Sequence, residues 1–384
     1  MKLAHLADVH LGFRQYERLS PAGANLREND VALAFHRAVD GVIAERVDLV
    51  LIAGDFFNQV RPTNAAIIAA YRELARLRQA LPKAAVVLIS GDHDTPRSSE
   101  TVPIVGLFHD TLGIDVIHRG VQVLDRAGAT VTCVPQGSLA ELAGARPVPG
   151  RLNILLAHGE ARDLPHQART ISAEVLREQW EYIGLGHYHV HQQVAPRAWY
   201  AGSLDYVSTD SWKDLREEAA AGLPGKGWLS CELPGGTPVF HPIVPPRIFV
   251  DLPLLNGASH SPAQLSAAIA EQLATVPDGA VARLKVFDVP RAVSKELDQE
   301  MIRAHKGRLT FLHLDIRRPE VEVGPERRAR MFVNLDQTVD AHLGAWQLPP
   351  DLEPHRADFI KEGMTYFRDA GQRQTSQVHN SEAA

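Results

Sequence analysis

Five short polar clusters punctuate the chain: Asp8-Val9-His10, Gly54-Asp55, Gly91-Asp92-His93-Asp94, His158-Gly159 and Gly186-His187-Tyr188-His189. Carboxylates and imidazoles together are the donors that suit divalent ions with mixed oxygen and nitrogen coordination. Two such ions about 3.5 to 4 Å apart need a carboxylate shared between them and further ligands on each side. Asp8 and His10 stand two residues apart, and side chains at that spacing face the same way along an extended chain. His187 and His189 repeat the spacing from another part of the sequence. Asp55 is the expected bridge, and Asp92 and His158 complete a second group. Each cluster alone is ordinary, since Asp-x-His often caps a helix, Gly-Asp often makes a turn, and a single His is often a satisfied core group. Together, and in this order, they predict a two-metal site.

The elements that must position these residues are apolar runs. Residues 2–7, 47–53, 84–89, 152–157 and 182–185 read as buried strands, and each delivers one cluster at its carboxyl end, where open α/β sheets place their sites. Val31, Phe35, Val39, Val42 and Ile43 recur at helical spacing over 28–46, and Ile67, Ile68, Tyr71, Leu74, Leu77 and Leu81 mark a second helix. The result is a repeated strand, helix, strand unit. Residues 121–124 and 130–134 read as antiparallel strands. Residues 139–151 read as a loop, 213–226 as an exposed polar excursion, and 199–203 as a strand returning along 182–185. Residues 228–233 and 239–243 suggest a closing hairpin.

Pro245-Pro246 marks a boundary, because proline continues neither a helix nor a central strand. Four segments follow from this: a first domain over 1–244, a small α+β domain over 245–319, a helical segment over 320–371 and a disordered tail over 372–384. The last helices carry apolar faces, Leu335, Val339 and Leu343 on one and Phe359, Ile360, Met364 and Phe367 on the other, suited to a partner or to the parent domain.

A chain of 384 residues exceeds one ordinary core, and 45% hydrophobic with 22% charged residues describes a globular protein. The net charge of −6 provides no general attraction to nucleic acid, so any such contact needs a local basic patch. Cys133 and Cys231 each sit in an apolar run and read as buried thiols. Nothing at the amino terminus resembles a signal peptide, and no run approaches the roughly 20 apolar residues of a membrane span. A reducing, cytoplasmic setting is expected.

The set of clusters resembles that of the calcineurin-like binuclear metallophosphoesterases, over residues 1 to about 244. Within them it looks most like the SbcD nucleases and their Mre-type counterparts, which repair DNA ends. The finer likeness rests on His5-Leu6-Ala7-Asp8-Val9-His10-Leu11-Gly12, Gly54-Asp55-Phe56-Phe57, Asp94-Thr95-Pro96-Arg97 and Tyr200-Ala201-Gly202-Ser203. The segment after Pro246 resembles the DNA-capping domain of those nucleases. The fold implied is an α/β sandwich of two mixed β-sheets flanked by helices, with a small α+β cap.

By that resemblance Asp8, His10, Asp55 and His189 hold one ion, and Asp55, Asp92, His158 and His187 hold the other, with manganese favoured. His93 is implied as the catalytic histidine that is not a ligand, steadying the phosphate and protonating the leaving oxygen. The activity implied is two-metal hydrolysis of DNA phosphodiesters, as a three-prime to five-prime exonuclease, a single-strand endonuclease or both. The partners implied are DNA ends, an SMC-like ATPase of the SbcC type bound through the C-terminal helices, and a second copy of the chain bound through helices of the first domain. Arg14, Arg61 and Arg97 are candidates for gripping DNA phosphates, or else pair with nearby carboxylates.

Two departures stand out: Asp92 where the family usually has Asn, and Asn58 where many members have a His that makes a secondary phosphate contact. The first adds a negative charge facing the phosphodiester. Alternative readings are a small-substrate phosphodiesterase sharing the same site, and a scaffold in which Asp92 has blunted the chemistry.

Overall fold

The computed structural model describes residues 1–96, 102–161, 170–319, 337–349 and 352–367. Strands β1 (Lys2–Leu6), β2 (Leu49–Ala53), β3 (Ala85–Ile89) and β4 (Asp115–Ile117) pair in parallel. Helices α1 (Leu26–Glu45), α2 (Asn64–Ala80) and the short α3 (Leu107–Leu112) make the crossovers. The Asn25 side chain opens α1 by accepting from the Arg27 and Glu28 amides. Its inner stripe is Val31, Ala34, Phe35, Ala38, Val39 and Val42, all buried at helical period. On α2 the stripe is Ala66, Ala70, Leu74 and Leu77, while Ile68 and Tyr71, expected inside, are exposed.

A second sheet contains β5 (Gln122–Arg126), β6 (Ala129–Val134), β7 (Asn153–His158), β8 (Tyr182–Gly186), β9 (Gln192–Ala195) and β10 (Ala198–Tyr200), in the order β5-β6-β7-β8-β10-β9. β10 runs parallel to β8. The expected return strand is β9 instead, which sits outside β10 and pairs with it antiparallel. A short helix α4 (Ala173–Arg177) precedes β8. Residues 136–144 form a 3₁₀ helix, over the start of the segment 139–151 expected as loop, and bury Leu139 and Leu142 against this sheet.

The segment expected as an exposed excursion is instead the helix α5 (Ser211–Ala220), whose Trp212, Asp214 and Glu218 are buried. Its charges are inward because a buried lysine, Lys226, meets them. The chain then returns to the first sheet as β11 (Gly227–Glu232), antiparallel to β1, and β12 (Val239–Pro242). Both six-stranded sheets are therefore mixed. Leu3, Leu49, Val87 and Ile89 of one meet Val131, Ile154, Leu156 and Tyr182 of the other in a dry core. Cys133 and Cys231 are buried free thiols there.

Beyond Pro246 a third sheet, of β13 (Phe249–Asp251), β14 (Leu255–Asn256), β15 (Val281–Phe287) and β16 (Phe311–Ile316), is parallel throughout. Helices α6 (Pro262–Ala274), α7 (Arg291–Lys295) and α8 (Gln299–Arg308) connect it, α6 opening on the Ser261–Gln264 capping box. Arg247 fastens this layer to the rest, its guanidinium meeting both Asp30 oxygens at 2.7 and 3.0 Å and Thr310 Oγ at 2.7 Å. Tyr16 stacks on Phe311 with ring centres 4.2 Å apart.

Residues 1–317 form one compact unit and 318–384 a second. In the second, helices cover 337–345 and 356–367. Arg356 donates to the Gly344 carbonyl at 2.7 Å, and Trp346 and Phe359 meet edge to face. Leu335 and the expected tail over 372–384 lie outside the described residues. Among the described residues no helix is long and apolar enough to cross a membrane.

Candidate metal centre

The loops leaving β1 and β2 stay bonded to each other, with the Asp8 amide donating to Gly54 O, His10 to Asp55 O and Leu11 to Phe56 O. That pairing brings Asp8, His10 and Asp55 to one place. The backbone there is not the extended chain expected from the two-residue spacing. Asp8, His10 and Asp55 have φ of 49°, 52° and 47°, and His187 has 108°. Such left-handed conformations cost roughly 1–3 kcal/mol each and persist where the surroundings impose them. Here the imposing contacts are the paired loops, together with the His187 amide, which donates to Asp8 Oδ1 and Oδ2 at 3.0 and 3.1 Å.

Two glycines make the closeness possible. A Cβ on Gly54, itself at φ +83°, would stand 2.4 Å from His158 Nδ1. A Cβ on Gly91 would stand 2.1 Å from Asp55 Oδ1. Asp94 ties the two loops together, accepting from the Phe56 and Phe57 amides at 2.8 Å each. Burial, then repulsion from Asp55, pushes its carboxyl up to about 7 against those amide bonds.

Asp8, His10 and His189 bring ligand atoms within 4.8 Å of one another, as do Asp92, His158 and His187. Asp55 lies between the groups, its Oδ2 3.6 Å from His10 Nε2 and 3.5 Å from His158 Nε2. All seven residues expected as ligands thus converge from five loops. Asp8, His10, Asp55 and His158 are buried, whereas His93 and His187 are exposed and Asp92 is half-buried. One side of the cluster is therefore closed by protein and the other open to a substrate.

The donor set fits divalent cations. His10 and His158 each donate from Nδ1, to Asn58 Oδ1 at 3.2 Å and to the Ala53 carbonyl at 2.8 Å. That turns Nε2 of each toward the cluster, the usual arrangement for a metal-bound imidazole. His10 Nε2 is buried with no hydrogen-bond partner. Burial lowers His10 and His189 to about 3, so both rings offer a lone pair at neutral pH. Around them the negative charge is in excess. Burial and then the Asp55 charge push Asp8 up to about 7, although His158 opposes them. Burial alone would lower His158, but Asp55, the bond to Asp92 and Asp8 outweigh it and raise the ring to about 10. Asp92 accepts from His158 Nε2 at 3.1 Å and faces His187 Nδ1 at 3.3 Å, and these bonds outweigh burial and hold it below the usual carboxylate range. The carboxylates thus draw in a proton where a cation would compensate them better.

The remaining expected site residues divide. His93 joins the cluster, with its amide donating to Asp55 Oδ1 at 2.9 Å and its Nδ1 to the Asn58 carbonyl at 2.8 Å. Asn58 orients both rings, His10 through its side-chain oxygen and His93 through its main-chain carbonyl. Arg14 pairs with Glu28 at 2.7 Å while more than half of its side chain stays exposed. Arg61 is exposed in the loop before α2, and Arg97 lies outside the described residues. His191 is half-buried between Trp199 and Phe240 and donates to the Tyr200 carbonyl at 2.9 Å.

The chain is 30% identical over 257 residues to a protein of Sulfurisphaera tokodaii named DNA double-strand break repair protein Mre11, covering 63% of this chain and 62% of that one. It is 27% identical over 253 residues to the protein of the same name from Methanococcus maripaludis, covering 61% and 64%. The alignments span about three-fifths of the length of these relatives. The model of the calcineurin-like phosphoesterase family matches residues 1–211, more than half of the chain and the part that carries every residue of the cluster. The chain belongs to the calcineurin-like phosphoesterase family.

Proposed function

We propose that this chain is a manganese-dependent DNA nuclease of double-strand break repair, the nuclease subunit of an SbcC/SbcD-type assembly in the cytoplasm. The observation that carries the chemistry is Asp55 standing between two groups of carboxylate and imidazole, with an open mouth on one side. The relatives' shared name supports DNA as the substrate.

Asp8, His10 and His189 would hold one ion, Asp92, His158 and His187 the other, and Asp55 both. When bound, two such ions lower the pKa of water and neutralise charge on a phosphodiester in the transition state. The chain's own part is orientation and proton transfer. The Asn58 carbonyl can only accept, so His93 Nδ1 carries a proton and Nε2 is the atom left for the substrate. Protonating a leaving oxygen from Nε2 then requires the imidazolium form. Arg14, Asn58, Arg61 and, outside the described residues, Arg97 are candidates for holding backbone phosphates.

The layer over 245–319 is proposed as the DNA cap and the helical segment over 320–371 as the dock for an SMC-like ATPase. A homodimer through α2 and α3 is supported by a cavity of about 680 Å³ lined by Ile67, Ile68, Tyr71 and Leu107. The test is to compare linear duplex DNA with bis-p-nitrophenyl phosphate in manganese. Cleavage of both supports the nuclease; cleavage of the small ester alone favours a small-substrate phosphodiesterase.

A further inference from the structure

A buried charge cluster grips the backbone of His189 from outside the ligand set. Lys226 precedes β11, and its side chain is only 3% exposed. Its Nζ donates to the His189 carbonyl at 2.8 Å and to Asp214 Oδ2 at 2.9 Å, and ion-pairs with Glu218 Oε1 at 2.9 Å. Asp214 and Glu218 are one turn apart on α5, and the Tyr206 hydroxyl donates to the other Glu218 oxygen at 2.7 Å. The Tyr206 ring lies 4.9 Å from Nζ.

Buried ion pairs often add nothing to stability over apolar residues of the same volume, so stability alone does not account for this one. Its geometry supplies a purpose. The His189 carbonyl also accepts from Ser203 N at 3.0 Å and faces Ser203 Oγ at 3.3 Å. Both Ser203 donors belong to one loop and move with it. Lys226 ties the same oxygen to α5, an independent element, so the carbonyl is fixed from two directions.

We propose that Lys226 is a positioning residue that holds the His189 imidazole against Asp8 and His10, and so sets the affinity of one of the two ions. This rests on the two-metal reading above. Partners that hold a ligand ring through its other nitrogen commonly contribute about 10- to 100-fold in metal affinity, and a tie to the ligand's main chain is expected at the low end of that range.

The test is manganese(II) uptake by the intact chain, followed by electron paramagnetic resonance of the free ion. Lys226→Met alone strands two carboxylates, so the decisive variant is Lys226→Met with Asp214→Asn and Glu218→Gln, which strands none. It is expected to take up one ion like the parent and the other about tenfold more weakly. Lys226→Gln in the same background keeps a donor at the carbonyl and is expected to stay within about threefold of the parent, below that range. Parent-like uptake of both ions by the Met variant overturns the proposal. Should that variant not fold, Lys226→Leu in the same background takes its place: weaker uptake of one ion supports the carbonyl contact and parent-like uptake of both overturns it. A parent protein that fails to bind two ions overturns the two-metal reading itself, and this inference with it, before any variant is made.

Discussion

His93 Nδ1 donates to the backbone carbonyl of Asn58 at 2.8 Å, which anchors the ring while its side chain stays exposed at the mouth of the cluster. His93 also lies within ligand distance of His10 and Asp55, so geometry alone leaves a ligand role open to it. As a proton donor rather than a ligand, His93→Ala should retain two manganese ions by elemental analysis and lose about 10²- to 10⁴-fold in cleavage rate, the usual contribution of a general acid. Loss of one ion along with the activity would make it a ligand.

Asp92 Oδ1 lies between His158 Nε2 and His187 Nδ1, at 3.1 and 3.3 Å. A carboxylate there binds a hard cation more strongly than an amide, and adds a charge that repels a phosphodiester. Asp92→Asn is expected to weaken manganese binding by about tenfold, roughly one lost charge contact. Turnover at saturating manganese should rise. A fall in both would show that the carboxylate serves the reaction and not only the metal.

Protons and cations compete for the same atoms. His158 is raised to about 10, so below that pH a bound cation must displace its proton, and Asp8, raised to about 7, adds a second below neutrality. Manganese affinity should therefore rise between about pH 7 and 10, by up to about tenfold per pH unit for each proton displaced. In chelator-treated protein the sign reverses for stability. The proton bound by folded His158 stabilises fully below the ordinary histidine value near 6.5, and that contribution is lost as pH rises toward 10. Calorimetry of manganese binding in buffers of different ionisation enthalpy, with melting curves taken in chelator, checks both directions.

Arg27 is wholly buried between Asp30 at 2.9 Å and Asp205 at 3.1 Å, and also donates to the Tyr206 carbonyl. Asp30 retains Arg247 if Arg27 is removed, but Asp205 loses its charged partner. Stranding a buried charge typically costs about 3–5 kcal/mol. Arg27→Met should show a loss of that size in urea unfolding, and adding Asp205→Asn should recover part of it. A loss below about 1 kcal/mol, the range of a surface pair, would mean water reaches the site.

Much of this was legible in the sequence, for identifiable reasons. The strands that carry the cluster are fully buried β-branched and leucine runs, and α1 shows its inner stripe at helical period, so local pattern and tertiary burial agree. The convergence of Asp8, Asp55, Asp92, His158 and His187 followed from each standing at a strand's end. The left-handed backbone at Asp8 and His10 did not, because it is imposed by bonds to residues 54–56. Nor did α5, read as exposed from its charge. Its Asp214 and Glu218 are buried because Lys226 lies within reach, and polarity alone does not reveal a partner across a turn. Asp94 stood inside a cluster already singled out, yet its role as a tie between two loops needed the Phe56 and Phe57 amides to be seen.

Ile68 and Tyr71 on α2 show where helical period misled for a different reason. The apolar residues of α2 cover more of its circumference than the core uses: Leu74 and Leu77 face inward while Ile68 and Tyr71 are 56% and 43% exposed, beside Leu107 of α3. Contiguous apolar surface of this kind is where an interface would form. If a second copy covers it, Ile68→Glu with Tyr71→Glu should convert a dimer to a monomer in light scattering. Folding should be unaffected, since neither side chain belongs to the core of the chain that carries it. Hydrolysis of the small ester should survive in the monomer, because every residue of the metal cluster comes from one chain. A parent protein that is already monomeric at micromolar concentration would remove this surface from the account and leave the metal centre untouched.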